Sequence, residues 1–170
     1  MNASAEGPAT VSVVDRQTLL PIDERAVQSL VTFALEAEDA RGSVEVAFVD
    51  DATIADLHER FMQIPGPTDV ITFPLADDDP LDPGSLGDGE AGESGLGEIV
   101  VSTETAQRQG PEWGLEPLDE AYLYVVHGVL HLLGYDDLEE GEAEAMATRQ
   151  REIFDAWRDA ADSAGESGGK

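Results

Sequence analysis

The chain has no cysteine and little positive charge. The absence of cysteine excludes a disulfide framework and a thiolate zinc site. Lysine occurs only as the last residue, Lys170, and lysine and arginine together number 9 against 37 aspartates and glutamates. The resulting formal net charge of -28 repels phosphate at low salt, which counts against a conventional basic surface for nucleic acid.

Long apolar runs are also missing. No stretch approaches the ~20 apolar residues that span a bilayer, so we expect no membrane association. The first ten residues, MNASAEGPAT, have neither the basic nor the apolar region of a secretory signal. We therefore expect a cytoplasmic protein. A length of 170 residues suits one domain with a proper core.

The excess acid has three interpretations: a disordered tail, a basic partner, or a cell with high internal salt. The acidic residues are spread along the whole chain, which argues against a tail. At about 1 M salt charges are screened within ~3 Å, and a dense acidic surface then keeps a protein dissolved. Because lysine is depleted everywhere, we favour this halophile-like interpretation.

Apolar periodicity predicts alternating strands and amphipathic helices. The strands are expected at 10–15, 43–50, 68–75 and 97–103, and the helices at 23–40, 50–62, 103–110, 117–134 and 138–161. This mixture predicts a single α+β domain with a small mixed sheet of about four strands packed with helices. The domain is expected to span 10–161, between a flexible N-terminus (1–9) and a flexible tail (162–170). The Gly-, Pro- and acid-rich segment 76–95 predicts a solvated loop.

The stretch HGVLHLLGYDD, residues 127–137, carries two of the three histidines. Residues four apart share one face of a helix, so His127 and His131 can bind one ion. Gly134 can then end the helix and reverse the chain, which lets Asp137 supply a third ligand. Two imidazoles and a carboxylate suit Zn²⁺ with an open position for water. The pattern predicts a metal site on a helix followed by a glycine turn.

The spacing does not fit a peptidase. Metalloproteases place a glutamate directly after the first histidine as general base, and this chain has Gly128 there. A bound ion can still activate water, so a substrate other than a peptide is favoured. A plain structural interpretation also exists: the histidine pair arises by chance, and Asp136 and Asp137 cap the following helix.

The same stretch resembles the signature of the YbeY family, written H-G-x-L-H-L-x-G-Y-D-H. Two upstream segments agree as well: PTDVITFPL (67–75) resembles P-T-D-V-L-S-F-P, and GEIVVSTETAQRQ (97–109) resembles G-D-I-V-I-S and its following helix. Glu142 and Met146 fall where the family tends to have Glu and Met. The resemblance covers roughly residues 10–155.

The resemblance implies a zinc-dependent endoribonuclease that matures the 3′ end of small-subunit rRNA and takes part in ribosome quality control. It implies one Zn²⁺ per chain, held by His127 and His131, with Asp137 in the third place. The implied partners are rRNA, the small ribosomal subunit with its proteins, and a ribosome-associated GTPase.

Two departures from the family pattern matter. Its third ligand is His where this chain has Asp137, and a carboxylate favours harder ions such as Mn²⁺. Its usual arginine before P-T-D is replaced by Met62. Arg60 is a candidate substitute for that arginine, although a solvated surface charge is the plainer interpretation. Thr68 is expected to cap its strand or line the cleft, and Asp136 to support a ligand histidine.

Three functions remain open at this point. The first is a metal-dependent, single-strand-specific endoribonuclease of rRNA. The second is a metallohydrolase acting on a non-nucleic substrate. The third is a non-catalytic ribosome assembly factor, which the changed third ligand and the missing arginine favour more than they would in a typical family member.

Overall fold

The computed structural model describes residues 10–74, 95–135 and 139–168, with side chains described as far as residue 161. Its strands are β1 (Thr10–Asp15), β2 (Ser43–Val49), β3 (Val70–Pro74) and β4 (Gly95–Ser102). Its helices are α1 (Glu24–Ala37), α2 (Asp51–Met62), α3 (Thr103–Gln109), α4 (Pro117–Leu132) and α5 (Glu140–Gly168), with a 3₁₀ helix (Gly110–Trp113) between α3 and α4.

The four strands form one mixed sheet in the order β1-β2-β4-β3. β1, β2 and β4 are parallel, and β3 runs antiparallel to β4 as an edge strand. The register pairs Val46 with Ile99 and Val70 with Val101. Since side chains alternate between the faces of a strand, each face of the sheet carries its own apolar set.

The larger core lies on one face of the sheet, where Val44, Val46 and Phe48 of β2 pack with residues of α1, α4 and α5. A smaller apolar cluster, formed by Val49, Ile54, Ile71 and Val100, places α2 on the other face. Helix α4 is enclosed by these neighbours and is buried around most of its circumference. It is therefore the central helix of the fold.

Two helices begin where the sequence predicts. Asp23 caps α1 by accepting hydrogen bonds from the backbone N–H groups of Arg25 and Ala26. Asp50 caps α2 by accepting from the N–H of Thr53 at 2.9 Å. Aspartate is a strong N-cap because its carboxylate binds N–H groups that lack partners within the helix.

The predicted α+β class and small mixed sheet are confirmed. Helix α5 extends to Gly168, beyond the predicted end at 161. The predicted flexible segment 1–9, most of the predicted loop 76–95, and Asp136 and Asp137 lie outside the described residues. Within the described part of the chain, no helix has both the length and the apolar character needed to cross a membrane.

Candidate metal centre

The histidine pair lies on one face of α4, as the spacing predicts. The Nε2 atoms of His127 and His131 are 3.1 Å apart. Their rings are nearly perpendicular, with centroids 4.6 Å apart and an interplanar angle of 78°. The two ring nitrogens that a shared ligand would use therefore converge on one point.

The other nitrogen of each ring meets an acceptor. Nδ1 of His131 lies 3.1 Å from the backbone carbonyl oxygen of Tyr135. Since a carbonyl can only accept, this contact favours the tautomer of a neutral His131 that has its proton on Nδ1 and its lone pair on Nε2. Nδ1 of His127 lies 2.8 Å from Oε1 of Gln150 in α5, a contact that favours the same tautomer for His127.

This arrangement fits a metal ion. The two Nε2 atoms lie 3.1 Å apart, so that one ion can contact both imidazoles. Tetrahedral zinc with Zn–N bonds of about 2.0–2.1 Å holds its nitrogens about 3.3 Å apart. The protonated Nδ1 atoms bind a carbonyl and an amide oxygen, which is the usual support for metal-binding histidines.

The predicted third ligand, Asp137, lies outside the described residues, as does Asp136. Among the residues that the structure does describe, no three His, Asp or Glu side chains gather into a ligand group. Tyr135, two positions before Asp137, contacts His131 through its carbonyl. The chain thus enters the undescribed segment directly beside the pair.

A glycine turn places that carbonyl. Gly134 has φ +105°, a conformation that side chains other than glycine rarely adopt. The N–H of Tyr135 donates to the carbonyl of Leu130 at 2.9 Å, and the N–H of Gly134 donates to that of His131 at 3.0 Å. These bonds satisfy the last carbonyls of α4 and reverse the chain.

Gly128 is required by packing. A Cβ atom at this position would lie 2.6 Å from Cγ2 of Ile99 in β4, and Ile99 is fully buried. A glutamate at Gly128, as in the peptidase motif, would therefore clash with the sheet. The packing of α4 on β4 thus gives a steric reason for glycine at this position, which the sequence does not reveal.

Two further polar side chains lie on the same stripe of α4. Tyr124 and Glu120 precede His127 by three and seven residues, and both are buried. The Tyr124 hydroxyl donates to Oε1 of Gln109 at 3.0 Å. Burial raises the pKa of Glu120, and burial together with the adjacent Glu120 carboxyl raises the pKa of Tyr124.

The other predicted site residues have contacts of their own. Arg60 is exposed over 62% of its side chain and pairs with Asp56 at 3.3 Å, and its guanidinium lies over the ring of Phe61. The Thr68 hydroxyl donates to Asp69 at 3.3 Å. These contacts are ordinary for a surface arginine and for a residue at the start of a strand.

The sequence did not identify Gln150 or the Tyr135 carbonyl. Gln150 lies 23 positions after His127, and no spacing rule links two different helices. Tyr135 follows the glycine turn, but its carbonyl carries no sequence signal, since every residue has one. Both partners become visible only when α4, its turn and α5 are packed together.

Comparison with known proteins gives one consistent family. The model of the family described as "Endoribonuclease YbeY" matches residues 12–158. A protein of that name from Mycolicibacterium gilvum is 40% identical over 147 residues, which cover 85% of this chain and 81% of that protein. One from Rhodococcus opacus is also 40% identical, with 85% and 80% covered.

A solved structure agrees in fold. The solution structure of TM1509 from Thermotoga maritima superposes with a TM-score of 0.60 at 22% sequence identity. The match covers 91% of this chain and 93% of that protein. At this identity the likeness supports the shared fold alone.

Proposed function

This chain belongs to the YbeY endoribonuclease family, and from that premise we propose that it is a metal-dependent endoribonuclease acting on single-stranded RNA. Its proposed task is rRNA processing in the cytoplasm, at the 3′ end of small-subunit rRNA, together with ribosome quality control. Its proposed partners are the small subunit, its proteins and a ribosome-associated GTPase. The observation that carries the proposal is the convergent histidine pair, with Nε2 atoms 3.1 Å apart.

The proposed cofactor is one Zn²⁺ per chain. Such an ion supplies Lewis-acid chemistry, since it activates water and offsets charge on the scissile phosphate. His127 and His131 would hold the ion, with Asp137 as third ligand. Gln150 and the Tyr135 carbonyl contact the Nδ1 atoms, and the two Nε2 atoms face the proposed position of the ion.

Asp137 changes the expected properties of the site. A carboxylate adds a negative charge that a third imidazole would not bring. It makes coordinated water less acidic and favours harder ions such as Mn²⁺. We therefore propose that Mn²⁺ competes with Zn²⁺ here better than at a site of three histidines.

The acidic surface constrains how RNA binds. Most RNA affinity comes from Lys and Arg that neutralise phosphates, and this chain has 9 such residues against 37 acidic ones. High salt weakens the repulsion but also the attraction. Binding would then depend on the metal, a few arginines and proteins that already hold the RNA.

The test is metal content per chain, measured by elemental analysis on protein purified at high salt without chelator. We expect about one ion per chain, lost in His131→Ala and in Asp137→Ala. His58→Ala is the matched control. His58 lies on α2, and its Nδ1 lies 2.9 Å from the backbone carbonyl oxygen of Gly66, which follows that helix. Retention of the ion by Asp137→Ala would remove that residue from the ligand set.

Cleavage is tested next, on a single-stranded RNA at high salt. We expect activity in the parent protein and in His58→Ala, and loss of activity in His127→Ala. Metal binding without cleavage in the parent would favour the non-catalytic assembly factor. Met62, at the usual place of an arginine, is the observation that favours this alternative function.

A further inference from the structure

The turn after α4 is fastened to a distant helix. The Tyr135 hydroxyl donates to Oε1 of Glu38 at 2.9 Å. Glu38 is the C-cap residue of α1, and its own N–H bonds to Ala34 and Leu35. The backbone carbonyl of Tyr135 contacts His131. Its side-chain hydroxyl is thus bound to a residue at the end of α1, 97 positions earlier in the chain.

Glu38 is in turn held by α5. Its Oε2 accepts from Nε of Arg149 at 2.5 Å, and Nη2 of Arg149 donates to the carbonyl of Ala37 at 3.1 Å. The side chains of Glu38 and Arg149 are 15% and 32% exposed. This ion pair is more shielded from water than the Arg60–Asp56 pair on α2, whose side chains are 62% and 64% exposed.

Arg149 is the neighbour of Gln150, the residue that contacts Nδ1 of His127. Consecutive residues of α5 therefore reach the two imidazoles by separate routes. Gln150 contacts His127 directly, and Arg149 reaches His131 through Glu38 and Tyr135. We infer that Arg149, Glu38 and Tyr135 form a positioning relay that orients His131 for metal binding.

This inference rests on the proposed metal binding. A ligand imidazole binds well only if its ring direction is set before the ion arrives, and loss of an outer hydrogen bond typically weakens metal affinity about 10- to 100-fold. The relay acts on the ring direction of His131, since the Tyr135 carbonyl meets the Nδ1 proton. Tyr135, Glu38 and Arg149 are positioning residues and are not proposed to touch substrate.

The experiment uses the full chain loaded with Co²⁺, whose visible spectrum reports ligand geometry, and Zn²⁺ affinity measured by competition. The variants are Tyr135→Phe, Glu38→Ala and the conservative Glu38→Gln. Asp119→Asn is the matched control, because Asp119 of α4 pairs with Arg158 of α5 at 2.5 Å. That substitution also breaks an ion pair to α5, but one outside the relay.

We expect Tyr135→Phe and Glu38→Ala to weaken Zn²⁺ binding about 10-fold or more and to alter the Co²⁺ spectrum. Glu38→Gln should restore part of the affinity, since its amide oxygen can still accept from Tyr135. A protein that carries both Tyr135→Phe and Glu38→Ala should bind Zn²⁺ no more weakly than the single variant with the lower affinity, because both substitutions act through one route.

Asp119→Asn should bind Zn²⁺ like the parent, even if its stability falls. Unchanged affinity in a folded Tyr135→Phe protein, with the parent binding normally, overturns the relay and leaves the proposed function intact. An equal loss in Asp119→Asn shows a general stability effect and also overturns the relay. A parent protein that binds neither ion overturns both proposals.

Discussion

At the scale of single residues, Gly128 shows how packing outweighs local preference. Glycine in a helix interior costs about 1 kcal/mol relative to alanine, so a central helix would ordinarily avoid it. Here the missing side chain allows α4 to approach β4 so closely that a Cβ would lie 2.6 Å from Ile99.

We expect Gly128→Ala to destabilise the protein by about 1–3 kcal/mol, the usual cost of overpacking a core. Gly141→Ala is the control, because a Cβ at Gly141 meets nothing within 4 Å, and it should be neutral or slightly stabilising. Urea unfolding at high salt measures both. A Gly128→Ala protein as stable as Gly141→Ala would show that α4 can shift away from the sheet without cost.

At the scale of elements, Asp51 joins the N-termini of α2 and α3. Its carboxylate accepts from the Ser102 hydroxyl at 2.6 Å, the Thr105 hydroxyl at 2.8 Å and Nη1 of Arg108 at 2.6 Å. Burial alone would raise the pKa of Asp51, but the hydrogen bonds from Ser102, Arg108 and Thr105 bring this pKa below its usual 3.8. Asp51 thereby joins the start of α2 to the last residue of β4.

We expect Asp51→Asn to lower the free energy of unfolding at pH 7 by about 1–3 kcal/mol, as for a hydrogen-bonded charge. Because folding lowers the Asp51 pKa, its stabilisation is complete above the unfolded pKa near 3.8 and is lost as pH falls through the lower folded pKa. The difference between parent and variant should therefore shrink below about pH 4.

Asp56→Asn is the control for that measurement. Asp56 pairs only at the surface with Arg60, with side chains 64% and 62% exposed, and such pairs contribute about 0–1 kcal/mol. Denaturant unfolding at pH 7 and at about pH 3 compares the two variants. An Asp51→Asn deficit that persists unchanged at the lower pH would show that the carboxylate charge is not the cause.

At the scale of the whole molecule, the net charge of -28 sets the conditions for stability. Like charges repel in the compact state, and salt reduces this repulsion as the screening length falls from ~10 Å at 0.1 M to ~3 Å at 1 M. The halophile-like interpretation of the composition remains a prediction. It leads to a test in solution that does not depend on the metal.

We expect the Tm to rise by more than about 5 °C between 0.1 M and 2 M KCl, which corresponds to roughly 1–2 kcal/mol for a domain of this size. Sucrose at matched osmolality is the control, because it strengthens apolar burial without screening charge. Thermal unfolding followed by circular dichroism measures both. An equal rise in sucrose would assign the effect to burial and not to charge.

Local order was predictable from the sequence because its causes are local. Alternation in TVSVVD predicts β1, helical spacing predicts α1, and four-residue spacing predicts the shared face of His127 and His131. The 3₁₀ helix Gly110–Trp113 was not predicted, since so short an element has no periodicity. Boundaries shifted by a few residues, as at β3, where strand pairing with β4 decides the ends.

By itself, the sequence determined the α+β class, the order of elements, the histidine pair and the family, because periodicity, capping and motif spacing act between residues close in the chain. The tertiary structure alone decided which atoms support that pair. Gln150 contacts His127 across 23 positions of chain, Glu38 contacts Tyr135 across 97, and Arg149 contacts Glu38 across 111. Such contacts depend on how helices pack on a common sheet, and side-chain packing has no short-range signal in the sequence.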